Sequence, residues 1–202
     1  MIENFLHWLG GILAYSLLIV LLYGIWRGTR RQAGRTSGRA SHWLRSVVFY
    51  LVISLFFSGG SVLGWKPLPW ELPQITQGCL LALGSVLYFP GLALILWGRL
   101  ALGRHYFVST STSAQLFKDQ PLVTRGPYAI VRHPMYLGIL LAALGSLLLY
   151  QTWTTLFYAC FAPFILSRAR REEVVLAAEF GEQWREYCRR VPALIPKLKK
   201  KQ

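Results

Sequence analysis

Three stretches of the chain, Phe5 to Trp26, Ser46 to Trp65 and Ile75 to Trp97, contain no Asp, Glu, Lys or Arg. Each supplies about the 20 apolar residues that a helix needs to cross the hydrocarbon core of a bilayer. Backbone groups in hydrocarbon have no water to bond to, so stretches of this kind are expected to be helical. Two shorter apolar runs, Met135 to Tyr150 and Leu156 to Leu166, flank the uncharged tip Gln151 to Thr154 and read as a helical hairpin. Only 15% of the residues are charged, against about 25% in soluble proteins. The expected fold class is all-α: a polytopic membrane bundle of five transmembrane helices with a cytosolic, amphipathic C-terminal helix.

The placement of the cations orients the bundle. The chain carries 22 Lys and Arg against 8 Asp and Glu. They gather in Arg27 to Arg45, in Arg99 to Arg132, and from Arg168 onward; only Lys66 falls elsewhere. The positive-inside rule then puts the three basic segments and the C-terminus in the cytoplasm and the N-terminus outside. The membrane would be the cell inner membrane in a bacterium and the endoplasmic reticulum in a eukaryote. Basic residues set beside apolar spans argue for membrane topology and against nucleic-acid binding. MIENFLHWLGG has no basic n-region, so the first span is expected to be retained rather than cleaved. Cys79, Cys160 and Cys188 form no CxxC pair, which argues against a metal site or a disulfide framework.

Within the spans, His7 reads as an interfacial histidine beside Trp8. Gly59 and Gly60 offer room for a close helix approach, and Pro90 should kink the third span. Two units are expected: residues 1–98, holding three spans and the basic loop at 27–45, and residues 99–202, carrying the chemistry.

The chemistry concentrates in two stretches, LVTRGPYAIVRHPMYLG (Leu122 to Gly138) and RARREEVVLAAEFGEQWREYCRRVP (Arg168 to Pro192). Proline suits the first position of a helix. His133-Pro134 therefore places His133 at the N-cap of the fourth helix, beside free N–H groups and the positive dipole end. Such a site suits a carboxylate or phosphate. In the second stretch, Leu176, Phe180, Trp184, Tyr187 and Val191 share one helical face. Glu173 falls within that face and Glu172 at its edge. Arg168 and Glu172 stand four apart, the spacing of an ion pair. Gly181 is a candidate interruption. An acid turned toward a packed surface needs a cationic partner, from the protein or from a ligand.

Together these stretches resemble the signature of the isoprenylcysteine carboxyl methyltransferase family, within the larger group that includes phospholipid N-methyltransferases. The resemblance covers LVTRGPYAIVRHPMY, the hairpin, and R-x3-EE through FG to VP, about the last 90 residues. Trp184 stands where that family often has Tyr, and Pro121 where it often has His. The resemblance implies a membrane methyltransferase that uses S-adenosylmethionine. By position it implies that Gln120, Pro121, Leu122, Val123, Tyr128, His133, Pro134, Met135, Tyr136 and Glu172 bind the cofactor, with Arg168 positioning the substrate. No metal is implied. The acceptor would be a lipid or prenylated molecule, such as the carboxylate of an isoprenylated cysteine, or a phospholipid amine. An NADPH-dependent membrane reductase and a non-catalytic membrane protein are the competing classes. Both Glu172 and Glu173 stay open as the cofactor's acid, the wheel favouring Glu173 and the motif Glu172.

Overall fold

A computed structural model of the chain describes residues 1–29, 33–37, 47–103, 114–117 and 121–196. Six helices account for most of it: α1 (Ile2–Thr29), α2 (Val47–Leu63), α3 (Gln74–Leu102), α4 (Pro134–Tyr150), α5 (Trp153–Phe161) and α6 (Ile165–Arg190). The departure from an all-helical expectation is a short ribbon. Strands β1 (Ala33–Ser37) and β2 (Ala114–Phe117) pair antiparallel, with Ser37 opposite Ala114. Among the described residues, α1 and α3 have the length and composition to cross a membrane; α2 and α4 are apolar but shorter.

The architectural centre is the seam between α3 and α4. Gly84, Gly91 and Gly98 recur every seven residues on α3, and Gly138 and Gly145 do so on α4. Seven residues are nearly two turns, so each set stays on one face. With no side chains between them the backbones meet directly. A Cβ on Gly91 would lie 2.7 Å from the Ala142 nitrogen, and one on Gly138 2.7 Å from the Gly91 oxygen. Small residues serve this purpose wherever helices associate without a hydrophobic drive. Gly59 and Gly60, by contrast, meet nothing within 4 Å; among the described residues no helix uses the room they offer. α3 continues past Pro90 as one helix.

α1 lies across this pair, with Leu17 packed against Tyr88, Ile95, Ala142 and Leu149. His7 is more than an interfacial anchor. Its Nε2 is 2.8 Å from the Leu149 carbonyl, and the Tyr150 hydroxyl donates to the His7 carbonyl at 2.9 Å. α2 touches the bundle near its two ends, through Tyr50 against Ile25 and through Ser61 beside Tyr158.

The connections pair at opposite ends. α4 stops at Gln151, whose φ of 49° turns the chain, and Thr152 opens α5 through a capping box with Thr155. This tip bonds to the 66–73 loop: Leu68 N–H to the Gln151 carbonyl at 2.8 Å and Trp153 N–H to the Lys66 carbonyl at 3.1 Å. At the other end β1 pairs with β2. A 3-10 turn, Ala162–Phe164, joins α5 to α6 without a loop. α6 is broken at Gly181, where φ is 53° and ψ −120°.

Candidate functional site

Two chain segments are bound together at the start of α4. Residues 121–133 descend through a 3-10 turn at Gly126–Ala129, and Pro127 and Pro134 are fully buried. The stretch after α6 runs alongside. Arg132 N–H donates to the Pro192 carbonyl at 2.8 Å, and His133 N–H to the Ala193 carbonyl at 3.0 Å. The Tyr187 hydroxyl donates to the Tyr128 carbonyl at 2.6 Å. Leu122 packs on the cluster of Trp184, Tyr187 and Val191, together with Leu176 and Phe180. All five residues assigned to one face from spacing therefore meet in one cluster.

His133 is the N-cap of α4 and Pro134 its first residue. His133 is buried, 6% exposed, and its anion is internal: Nε2 lies 3.0 Å from Glu173 Oε1. Arg132 Nη2 reaches the same oxygen at 2.9 Å, and its guanidinium lies over the Trp184 ring. The His133 hydrogen bond holds the Glu173 carboxyl below its ordinary value; partial burial opposes this and Arg132 adds to it. Burial pushes the Tyr187 hydroxyl up to about 12, against the pull of Arg132. Burial also raises the Cys188 thiol, with Arg132 opposing.

One turn along α4, Tyr136 stacks on His133, with centroids 5.5 Å apart and planes 9° apart. Its hydroxyl donates to Glu172 Oε1. The Arg168 guanidinium sits over the Tyr136 ring, 5.7 Å from its centroid. Among the described residues no ion pair joins Arg168 to Glu172, contrary to their spacing; Glu172 turns to Tyr136 instead. The two adjacent acids thus divide the work. Glu173 ties α6 to the turn, and Glu172 stands with Tyr136 and Arg168 one step further along α4.

The remaining positions are less convergent. Val123 and Met135 are half-buried, Met135 filling the space at Gly98. Pro121 is exposed, and Gln120 lies outside the described residues. The sequence reading missed the carbonyls of Pro192 and Ala193, because main-chain acceptors carry no residue signature.

A family model described as phospholipid methyltransferase matches residues 79–183, which takes in most of α3, all of α4 and α5, and most of α6. The chain belongs to the phospholipid methyltransferase family. Among curated relatives, a protein-S-isoprenylcysteine O-methyltransferase of Schizosaccharomyces pombe is 41% identical over 81 residues, covering 39% of this chain and 34% of that protein. Methanethiol S-methyltransferase 2 of Bradyrhizobium diazoefficiens is 35% identical over 143 residues, 66% of this chain and 53% of the relative. The human protein-S-isoprenylcysteine O-methyltransferase is 30% identical over 136 residues, 64% and 45% respectively. The chain thus spans about half or less of the length of these family members. The matched region ends two residues beyond the break at Gly181, so both acids and Arg168 lie inside it and the Pro192–Ala193 clamp lies beyond it.

Proposed function

We propose that the protein transfers a methyl group from S-adenosylmethionine to a lipid-linked acceptor, most simply the carboxylate of an isoprenylated cysteine or a similar small lipid. One observation carries this reading. Tyr136 gathers an acid and a cation around one ring, and the Nε of that cation, Arg168, is buried with no hydrogen-bond partner among the described residues. A buried donor without a partner is costly, and an anionic guest would satisfy it.

The residues present fit the cofactor. Glu172 offers a carboxylate to its cationic groups or its ribose hydroxyls. The turn of Pro121, Leu122, Val123 and Tyr128, with Gln120 before it, would line the site with His133, Pro134, Met135 and Tyr136. Bound there, S-adenosylmethionine would supply a methyl group carried on a sulfonium. The rest is positioning, which can contribute much of a rate acceleration. Arg168 would hold an acceptor carboxylate through charge-assisted hydrogen bonds. A carboxylate is already ionised at neutral pH, so the chain needs no general base for it. Glu173 keeps Arg132 and His133 occupied and so fixes the turn.

The same reading sets five spans, α1 to α5, with the N-terminus outside and the site at the cytoplasmic face. The end-wise pairing supports it. The 66–73 loop bonds to the α4–α5 tip, and the ribbon joins the two basic connections. Residues 1–98 would form the N-terminal unit and residues 99–202 the methyltransferase core. Calorimetry on purified protein tests the proposal: saturable binding of S-adenosylmethionine and S-adenosylhomocysteine is expected, and no binding to well-folded protein would sink it.

A further inference from the structure

The two halves of α6 differ in how their arginines are settled. Beyond the break at Gly181, Arg185 and Arg189 reach Glu182 at 2.9 and 3.0 Å, and Arg190 reaches Glu186 at 3.4 Å. Before the break, Arg168 lies over Tyr136. Arg170 and Arg171 are exposed and, among the described residues, join no ion pair. Of the neighbouring acids, Glu172 turns to Tyr136. Glu179 stands eight residues beyond Arg171, about 12 Å at helical rise.

The side of α6 that carries Arg171 is open along its length. Phe164, Ser167, Arg171, Val174 and Ala178 are spaced three and four apart and share one face. All five are exposed, Phe164 at 69% and Val174 at 70%, and Arg170 stands at the edge of the stripe. The opposite side is the one that packs: Ala169 is buried, Leu176 and Phe180 join the cluster on Trp184, and Glu173 meets Arg132 and His133. α5 passes into α6 without a loop. The exposed rings of Phe157 and Phe161 lead to Phe164 by steps of four and three, so the stripe continues a side of α5 that would face hydrocarbon. Arg170 and Arg171 come six and seven residues after Phe164, roughly 10 Å at helical rise. That is about the depth of the headgroup layer, and long arginine side chains reach further.

We infer that this stripe, with Arg170, Arg171 and Val174, rests on the headgroups of anionic phospholipid at the cytoplasmic surface. The inference rests on the five-span placement and not on methyl transfer. A solvated helix face intersperses both signs of charge, as α6 does beyond Gly181. Unpaired cations set among exposed apolar side chains are the pattern of a helix lying on a membrane surface. Charge selects the occupant. Two cations without acids call for an anion, and Phe164 and Val174 call for one that comes with hydrocarbon, which an acidic protein segment does not supply. Because Glu172 and Glu173 stand on other sides of the same helix, the anionic content of the bilayer bears on how firmly α6 is held against α4.

The test uses the full chain in nanodiscs of phosphatidylcholine, with or without phosphatidylglycerol. A polarity-sensitive fluorophore is attached through Val174→Cys in a chain carrying Cys79→Ala, Cys160→Ala and Cys188→Ala. With phosphatidylglycerol present, the emission should move to the blue and be quenched by lipid spin-labelled at its headgroup. Salt at about 1 M, where screening acts within about 3 Å, should reverse most of the shift. Arg170→Gln with Arg171→Gln should abolish it. Native mass spectrometry of the wild type, which needs no cysteine replacement, should find phosphatidylglycerol retained in preference to phosphatidylcholine. That preference should fall roughly fivefold for each of the two arginines replaced. Arg185→Gln with Arg189→Gln, at arginines already paired, should change neither readout.

Equal shift and quenching in phosphatidylcholine alone, or no lipid preference in the wild type, would overturn the inference. So would equal losses from the two arginine pairs, or a shift produced by soluble polyglutamate and not by phosphatidylglycerol. Protein that enters nanodiscs but shows no quenching loses the surface contact alone. Protein that does not enter them loses the five-span placement as well. None of these readouts needs S-adenosylmethionine, so the methyl-transfer reading stands or falls separately.

Discussion

α4 is gripped on two sides by opposite means. Toward α3 the contact is bare backbone on backbone, Gly91 and Gly138 each leaving less than a side chain's width. Toward α6 it is made by polar atoms at the tip of the helix: Arg132 and His133 on Glu173, and Tyr136 on Glu172. The first contact admits no variation, because packed interiors have no slack. The second consists of groups that a ligand or a proton can re-pair. The chain thus fixes α4 from the α3 side and leaves re-pairable polar groups on the α6 side.

The largest effect should come from filling the seam. Gly91→Leu drives a side chain into the Ala142 main chain, which cannot move without breaking α4, and is expected to cost about 3 kcal/mol or more. Thermal unfolding in detergent should show little folded protein. At the polar junction, Glu173→Ala strips Arg132 and His133 of one shared partner and should cost about 1–2 kcal/mol. Its contribution follows pH. The folded carboxyl lies below its ordinary value of 4.5, so the stabilisation is complete above that value and fades as pH falls through the folded one. The wild type should lose stability on acidification below pH 4.5 more steeply than Glu173→Gln does, measured by denaturant melts across that range.

Glu172→Ala separates the two adjacent acids. It should weaken S-adenosylmethionine binding roughly tenfold, about 1.4 kcal/mol, with a smaller change in melting temperature than Glu173→Ala. If the two variants change places, calorimetry and melting together will show it, and the wheel-based choice of Glu173 as the cofactor's acid returns. The smallest effect should be Gly59→Ala. With no neighbour within 4 Å, it should only raise helix propensity, stabilising by about 0.5–1 kcal/mol. That outcome beside Gly91→Leu shows that the seam depends on placement and not on glycine as such.

The sequence was informative where function or hydrocarbon imposes residue types. Stretches without charge mark the apolar helices, and His133-Pro134, Glu172 and Arg168 stand out as candidate site residues by their identity. It was least informative where main chain decides. Gly59-Gly60 drew attention as a pair, yet adjacent glycines lie on different sides of a helix. The spacing of seven in Gly84, Gly91 and Gly98 keeps one side bare, and it shows its meaning only beside Gly138 and Gly145. The roles of Glu172 and Glu173 turned on helical phase: the wheel put Glu173 within the packed face, where it meets Arg132 and His133, and Glu172 at its edge, beside Tyr136.

The carbonyls of Pro192 and Ala193 carry a consequence for the order of events at the ribosome. The N–H groups they receive, on Arg132 and His133, are made some sixty residues earlier, before α4 can enter the bundle. Until translation has passed Ala193, that turn must satisfy its donors with water. A nascent chain that has made α1 to α5 therefore still has an open turn, which closes only once Pro192 and Ala193 have been added.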